Sequence, residues 1–113
     1  MKIEDYSFGK IEINGKKFTE DVIIYPDRLE SEWWRKKGHE LNPRDISEIL
    51  EYGPDVLVVG TGSSERMKVP ENIEKLLKEH DIELVKEKTS KAIESYNELR
   101  GKRKVVAALH LTC

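Results

Sequence analysis

The segment Gly60-Thr61-Gly62-Ser63-Ser64-Glu65-Arg66 carries the densest set of ligand-binding groups in the chain. Two glycines let the backbone approach a bound group closely and turn successive amides towards one point, which suits an anion. Thr61, Ser63 and Ser64 add hydroxyls, and Arg66 adds a bidentate donor. The segment departs from the known phosphate loops. Glu65 stands where a dinucleotide motif needs its third glycine, and no Gly-Lys-Ser/Thr is present. The next helix starts only near Pro70, too late for its N-terminus to hold a pyrophosphate. Two readings stay open: a binding loop, or a tight turn whose glycines serve geometry alone.

Thr89, Tyr96 and Asn97 form a second set. Tyr96 lies on an apolar stripe, which reads as core with a satisfied hydroxyl. Asn97 is a poor helix former in mid-helix, so it serves a structural hydrogen bond or a site. Trp33-Trp34 is the third feature. If Leu29 to Lys36 is extended, side chains alternate, Leu29 and Trp33 share one face, and Trp34 stands among Glu30, Glu32 and Lys36. An exposed tryptophan is a common interface anchor; the alternative is that Trp34 lies flat beneath Lys36 or a loop. His39, His80 and His110 show no metal-ligand spacing, and no internal cysteine supplements them, so no metal site is expected. His110 sits in an apolar strand and reads as a satisfied core histidine. A Gly-x-Ser-x-Gly elbow is absent. The lone cysteine, Cys113, reads as an inert tail.

These groups must be positioned by a regular frame. Lys10-Ile11-Glu12-Ile13 alternates polar and apolar, Asn14-Gly15 follows, and Lys16 to Thr19 returns, which predicts a β-hairpin with positive φ at both turn residues. Asp21 to Tyr25 is a short apolar strand stopped by Pro26. Asn42-Pro43 opens a helix that Gly53-Pro54 ends. Val56 to Val59 is a buried strand. Pro70 starts a second helix facing inward through Ile73, Leu76 and Leu77. Ile82 to Val85 is a strand, parallel to the previous one through a right-handed crossover. Thr89 or Ser90 caps a third helix with Ala92, Ile93, Tyr96 and Leu99 on one face. Val105 to Leu111 is apolar almost throughout, as suits the middle of a sheet. The expected fold is α/β, with helices covering a sheet. In that frame the glycine loop and Thr89 emerge at one sheet edge and could share a groove with Tyr96 and Asn97.

The 113 residues fit a single domain, 1–113. A net charge of −2 with Lys and Glu interspersed argues against a dedicated nucleic-acid binder. No apolar run is long enough to cross a bilayer, and the N-terminus lacks a signal core, so a cytoplasmic location without membrane insertion is expected. Charged residues reach 37%, and glutamine is missing altogether, which leans towards a heat-adapted source.

Three motifs in order carry a family resemblance: Pro54-Asp55-Val56-Leu57-Val58-Val59-Gly60-Thr61-Gly62, then Thr89-x-x-Ala92-x-x-x-Tyr96-Asn97-x-Leu99, then Arg103-x-Val105-x-Ala107-Ala108-Leu109. With Trp34 and the Gly38-His39 turn, they make the chain resemble a family of uncharacterised single-domain proteins of archaea and bacteria. Its animal members include the adipogenesis-associated protein and a mitochondrial assembly factor of respiratory complex I. The resemblance implies a three-layer fold with a central mixed five-stranded sheet, whose last strand lies inside, antiparallel to its neighbours. It also implies that Gly60, Thr61, Gly62, Thr89, Tyr96, Asn97 and Arg103 cluster around one surface groove, with no established enzymatic activity; no cofactor is expected. Many relatives have a cysteine near Ala92, and this chain does not. The function expected is a non-catalytic module docking a protein partner through Trp34. The alternative is a small-molecule- or anion-binding domain, or an enzyme, that uses Gly60–Arg66.

Overall fold

The computed structural model describes residues 1–35 and 37–113. The chain begins with β1 (Ile3–Ser7), β2 (Lys10–Ile13) and β3 (Lys16–Phe18), which form a three-stranded antiparallel sheet. The β2–β3 turn is the expected one: Asn14 and Gly15 have φ of 50° and 79°. Strand β1 extends the expected hairpin by one strand. Its sequence hides it, because the register shifts between Ile3 and Asp5, which breaks the alternation that marks a strand.

The central sheet contains β4 (Val22–Ile24), β5 (Leu29–Glu30), β6 (Val56–Gly60), β7 (Glu83–Glu87) and β8 (Val105–Leu109), in the order β5-β4-β8-β6-β7. Strand β8 occupies the middle, as its continuous apolar run requires. Its direction differs from the expectation: it is antiparallel to β4 but parallel to β6. The chain leaves β7, crosses back over β6 through a helix, and so enters β8 in the same sense as β6 and β7.

Helices α1 (Ser47–Tyr52) and α2 (Glu71–Glu79) cover one sheet face, and α3 (Thr89–Leu99) with the N-terminal sheet covers the other. This division follows from the connections. The step from β6 to β7 and the step from β7 back to β8 run in opposite directions. Crossovers of one hand therefore place α2 and α3 on opposite faces. Alternate residues of β6 and β8 feed the two layers: Val56, Val58, Val105 and Ala107 meet α3, whereas Leu57, Val59, Val106 and Ala108 meet α1 and α2.

The first helix opens as a 3-10 turn over Pro43–Ile46, capped reciprocally by Asn42 and Asp45, and Gly53 closes α1 with φ of 69°. At α3 the expected cap is absent. The helix starts on Thr89, after Lys88, without a side-chain cap bond, because the Thr89 hydroxyl is used elsewhere. Among the described residues no helix is long and apolar enough to cross a membrane.

Ala107 lies in β8 between Ile24 of β4 and Val58 of β6 and has no exposed surface. Ala107→Asp should therefore lower stability by about 3 kcal/mol or more, from an unpaired buried charge. Chemical denaturation of the purified variant checks this; a folded variant with the wild-type midpoint contradicts the interior placement.

Candidate functional site

Strands β6 and β7 pair in parallel up to Gly60 and Glu87, so the glycine loop and the start of α3 leave the sheet at the same edge. They meet there. The fully buried Thr89 hydroxyl donates to the His110 carbonyl at 2.6 Å and accepts the Gly62 N–H at 2.9 Å. The Thr89 N–H returns a bond to the Gly62 carbonyl at 3.2 Å. Neither glycine could carry a side chain. A Cβ on Gly60 would lie 2.9 Å from Thr89 Oγ1 and from Leu109 Cδ2. Gly62 has φ of +104°, and its Cβ would collide with the main chain of Cys113.

The loop is thus shaped to receive the C-terminal segment of this same chain. The amides expected to face an anion are already bonded, Gly62 to Thr89 and Ser63 to the Thr112 carbonyl at 2.7 Å, and the Arg66 N–H is likewise bonded to the Cys113 carbonyl at 3.0 Å. Thr61 donates its hydroxyl to the Glu87 carbonyl at 3.1 Å. The Ser63, Ser64 and Arg66 side chains are exposed. A concavity of about 410 Å³ beside the loop is lined by Thr61, Glu65, Met67, Lys68 and Lys86 among others; neither Tyr96 nor Asn97 contributes to it.

Tyr96 and Asn97 lie about 10 Å further along α3 from Thr89, at 1.5 Å per residue, and are bonded to the N-terminal strand. Asn97 accepts the Ile3 N–H at 3.1 Å and donates to the Ile3 carbonyl at 2.9 Å, standing in for a neighbouring strand. The Tyr96 hydroxyl donates to the Met1 carbonyl at 2.6 Å, and burial raises its pKa. Arg103 lies just beyond the C-terminal end of α3, where its N–H donates to the Leu99 carbonyl at 3.1 Å, and it is remote from the glycine loop. It precedes β8, whose first residue pairs with the first residue of β6, and so sits at the opposite end of the sheet from the loop. There it is exposed and pairs with Glu83 at 3.4 Å.

The Trp34 segment does not meet the condition of an extended strand over 29–36. Strand β5 stops at Glu30, and Glu32 takes φ of 60°, which breaks the alternation. As a result Leu29 packs into the layer under α3 and Trp33 into the opposite layer, rather than sharing a face. Trp34 nevertheless points outward and is 77% exposed. Lys36, expected beside it, lies outside the described residues.

Beneath Trp34 runs a buried polar network that sequence spacing does not reveal. Asp21, Arg35 and His110 converge from three separate parts of the chain. Asp21 Oδ2 accepts from Arg35 Nη2 at 2.7 Å and from His110 Nδ1 at 2.8 Å, while Oδ1 accepts the Leu111 N–H at 2.7 Å. With a proton on Nδ1, the 3.0 Å between Arg35 Nη2 and that nitrogen is the third side of a triangle of donors around one oxygen. Burial pushes the Asp21 pKa up, but the bonds from His110, Leu111 and Arg35 outweigh it and hold the carboxyl below its ordinary value. The Asp21 carbonyl also accepts the Trp33 N–H at 2.8 Å. Arg35 Nε donates to the Gly38 carbonyl, and its guanidinium lies 4.7 Å from the centre of the Trp33 ring. The Trp33 indole N–H donates to the Asp45 carbonyl. Both neighbours of Trp34 are therefore pinned. The His39 ring meets His110 edge-on at 5.6 Å, a contact that sequence spacing does not show.

The comparisons agree with this architecture. Residues 3–110 match the family described as protein of unknown function (DUF498/DUF598). The chain belongs to this family. It is similar to a conserved hypothetical protein of Pyrococcus horikoshii, at 35% identity over all of both chains, with a TM-score of 0.88. A protein described as an outer membrane protein of Bartonella henselae is 27% identical over 98% of this chain and 94% of its own, with a TM-score of 0.83. A Mth938-like domain of Bordetella pertussis shares the fold, with a TM-score of 0.68 at 24% identity, covering 97% of this chain and 85% of that one.

The network gives a signed pH dependence. The folded pKa of Asp21 lies below its ordinary 3.8, so its contribution is complete above that value and is lost as pH falls through the folded pKa. Asp21→Asn should cost about 3 kcal/mol at neutral pH, by leaving Arg35 buried and unpaired. The stabilities of variant and wild type should converge in acid. Denaturant midpoints measured across pH test this, and two curves that stay parallel down to pH ~2 would contradict it.

Proposed function

We propose that this protein is a non-catalytic binding module that docks a protein partner through the face around Trp34. One observation carries the reading. Trp34 is 77% exposed, although the residues on either side of it, Trp33 and Arg35, are buried and bonded. A large aromatic held out by a rigid backbone loses little conformational entropy on binding and is a favoured interface anchor. Two concavities flank the indole, of about 320 and 210 Å³, and Trp34 lines both. The resemblance to a family that counts an assembly factor among its animal members supports the same class of role. In this reading the cytosol is the place of work, and the Glu- and Lys-rich composition serves a heat-adapted fold.

The alternative centred on Gly60–Arg66 has less support, since the amides of Gly62, Ser63 and Arg66 are bonded within the chain. In this account Gly60, Gly62 and Thr89 position the C-terminal segment that carries His110. Tyr96 and Asn97 fasten the N-terminal strand.

Trp34→Ala should leave the folding midpoint within about 0.5 kcal/mol of wild type, as for an exposed substitution. It should also remove the partner that co-purifies with the wild-type chain from its native cells. Equal recovery of that partner with the variant would overturn the reading.

A further inference from the structure

Among the described residues, the charge around Trp34 is predominantly acidic. The larger of its two concavities is walled by the Trp33 and Trp34 indoles and edged by Glu30, Glu32 and Glu48, with Arg44 as its cationic side chain among the described residues. The smaller one, on the other side of Trp34, adds Glu20 and Asp21. The cations nearby are largely engaged. Arg35 is buried on Asp21. Arg28 serves Glu30 and Glu48 together, at 3.7 and 3.8 Å, beyond good hydrogen-bond length, while its guanidinium lies 4.1 Å from the centre of the Tyr25 ring. Among the described residues, Arg28 alone bridges the Glu30 and Glu48 carboxylates, Arg44 is the other cation at the rim, and Glu32 and Glu20 remain exposed beside the indole.

We propose that the Trp34 face receives a basic segment of the partner protein, with an arginine or lysine side chain seated between the two tryptophans and the Glu30–Glu48 pair. This rests on the docking reading above and names the chemistry of its occupant. An aromatic wall attracts a cation through the ring quadrupole, and carboxylates at the rim give it charged hydrogen-bond acceptors. Arginine fits both demands, since its planar group stacks on an indole and forks onto a carboxylate. An acidic or purely apolar segment would leave these carboxylates facing like charge or stripped of water. Burial, then the neighbouring Glu48, raises the Glu30 pKa, as expected of a carboxylate pair short of positive charge. A basic occupant would relieve that repulsion.

The test is a calorimetric and amide-NMR titration of the full chain with acetylated, amidated tetra-arginine, and with tetra-glutamate as control. The expected result is saturable tetra-arginine binding tighter than about 1 mM, as a few anchoring contacts provide. Shifts should centre on the Trp34 indole N–H, and affinity should fall with added salt. Trp34→Ala and the double variant Glu30→Gln with Glu48→Gln should each weaken binding about tenfold, near 1.4 kcal/mol, with the wild-type amide spectrum retained elsewhere. Absent binding, binding indifferent to both variants, or equal binding of tetra-glutamate would overturn the inference. The two readings fail separately. A partner that needs Trp34 but contacts it through an acidic or apolar segment removes the basic occupant and leaves docking intact. A partner retained by Trp34→Ala removes docking itself.

Discussion

The structure turns on one carboxylate. Asp21 sits just before β4, and its side chain gathers donors from Arg35, His110 and the Leu111 backbone, while its carbonyl takes the Trp33 amide. Four contacts thus tie the end of β8 and the segment around Trp34 to the start of β4. Burying an ion pair is costly, and hydrophobic residues of similar shape often match it in stability. What such a group supplies here is geometry: each donor has one direction in which it is satisfied, so the segment that carries Trp34 has one placement.

The glycine loop belongs to the same device. Gly62 donates to Thr89, Thr89 donates to the His110 carbonyl, and the His110 ring bonds Asp21. A continuous chain of hydrogen bonds therefore runs from the C-terminal edge of β6 to the base of Trp34. The two features that stand out in the sequence, a Gly-x-Gly turn and a tryptophan pair, are the two ends of one scaffold. This explains why the loop resembles a ligand site without following any phosphate-loop pattern. Its glycines admit the chain's own C-terminal residues.

Much of the frame was legible in the sequence because it rests on local signals. Asn14-Gly15 announces its turn through positive φ, Gly53 its helix end, and the unbroken apolar run of β8 its interior position. What escaped depends on distant partners. The sense of β8 is decided by the crossover through α3, not by its own residues. Strand β1 was hidden by its bulge. Thr89 reads as a cap by type, but a buried amide and carbonyl claim its hydroxyl. Asp21 and Arg35 carry no spacing signal, because the bonds between Asp21, Arg35 and His110 span up to 89 positions. Trp34 came out exposed despite the wrong local geometry, since the kink at Glu32 changed the face of Trp33 yet left Trp34 facing away from the sheet.

On the docking reading, this scaffold presents Trp34, rather than the glycine loop, to a protein partner. Site-specific photocrosslinking in the native cells tests it most directly, with a photoreactive aromatic residue placed at position 34 in one variant and at position 66 in another. A discrete crosslinked partner is expected from position 34 and none from position 66. A partner captured from position 66 alone would contradict it.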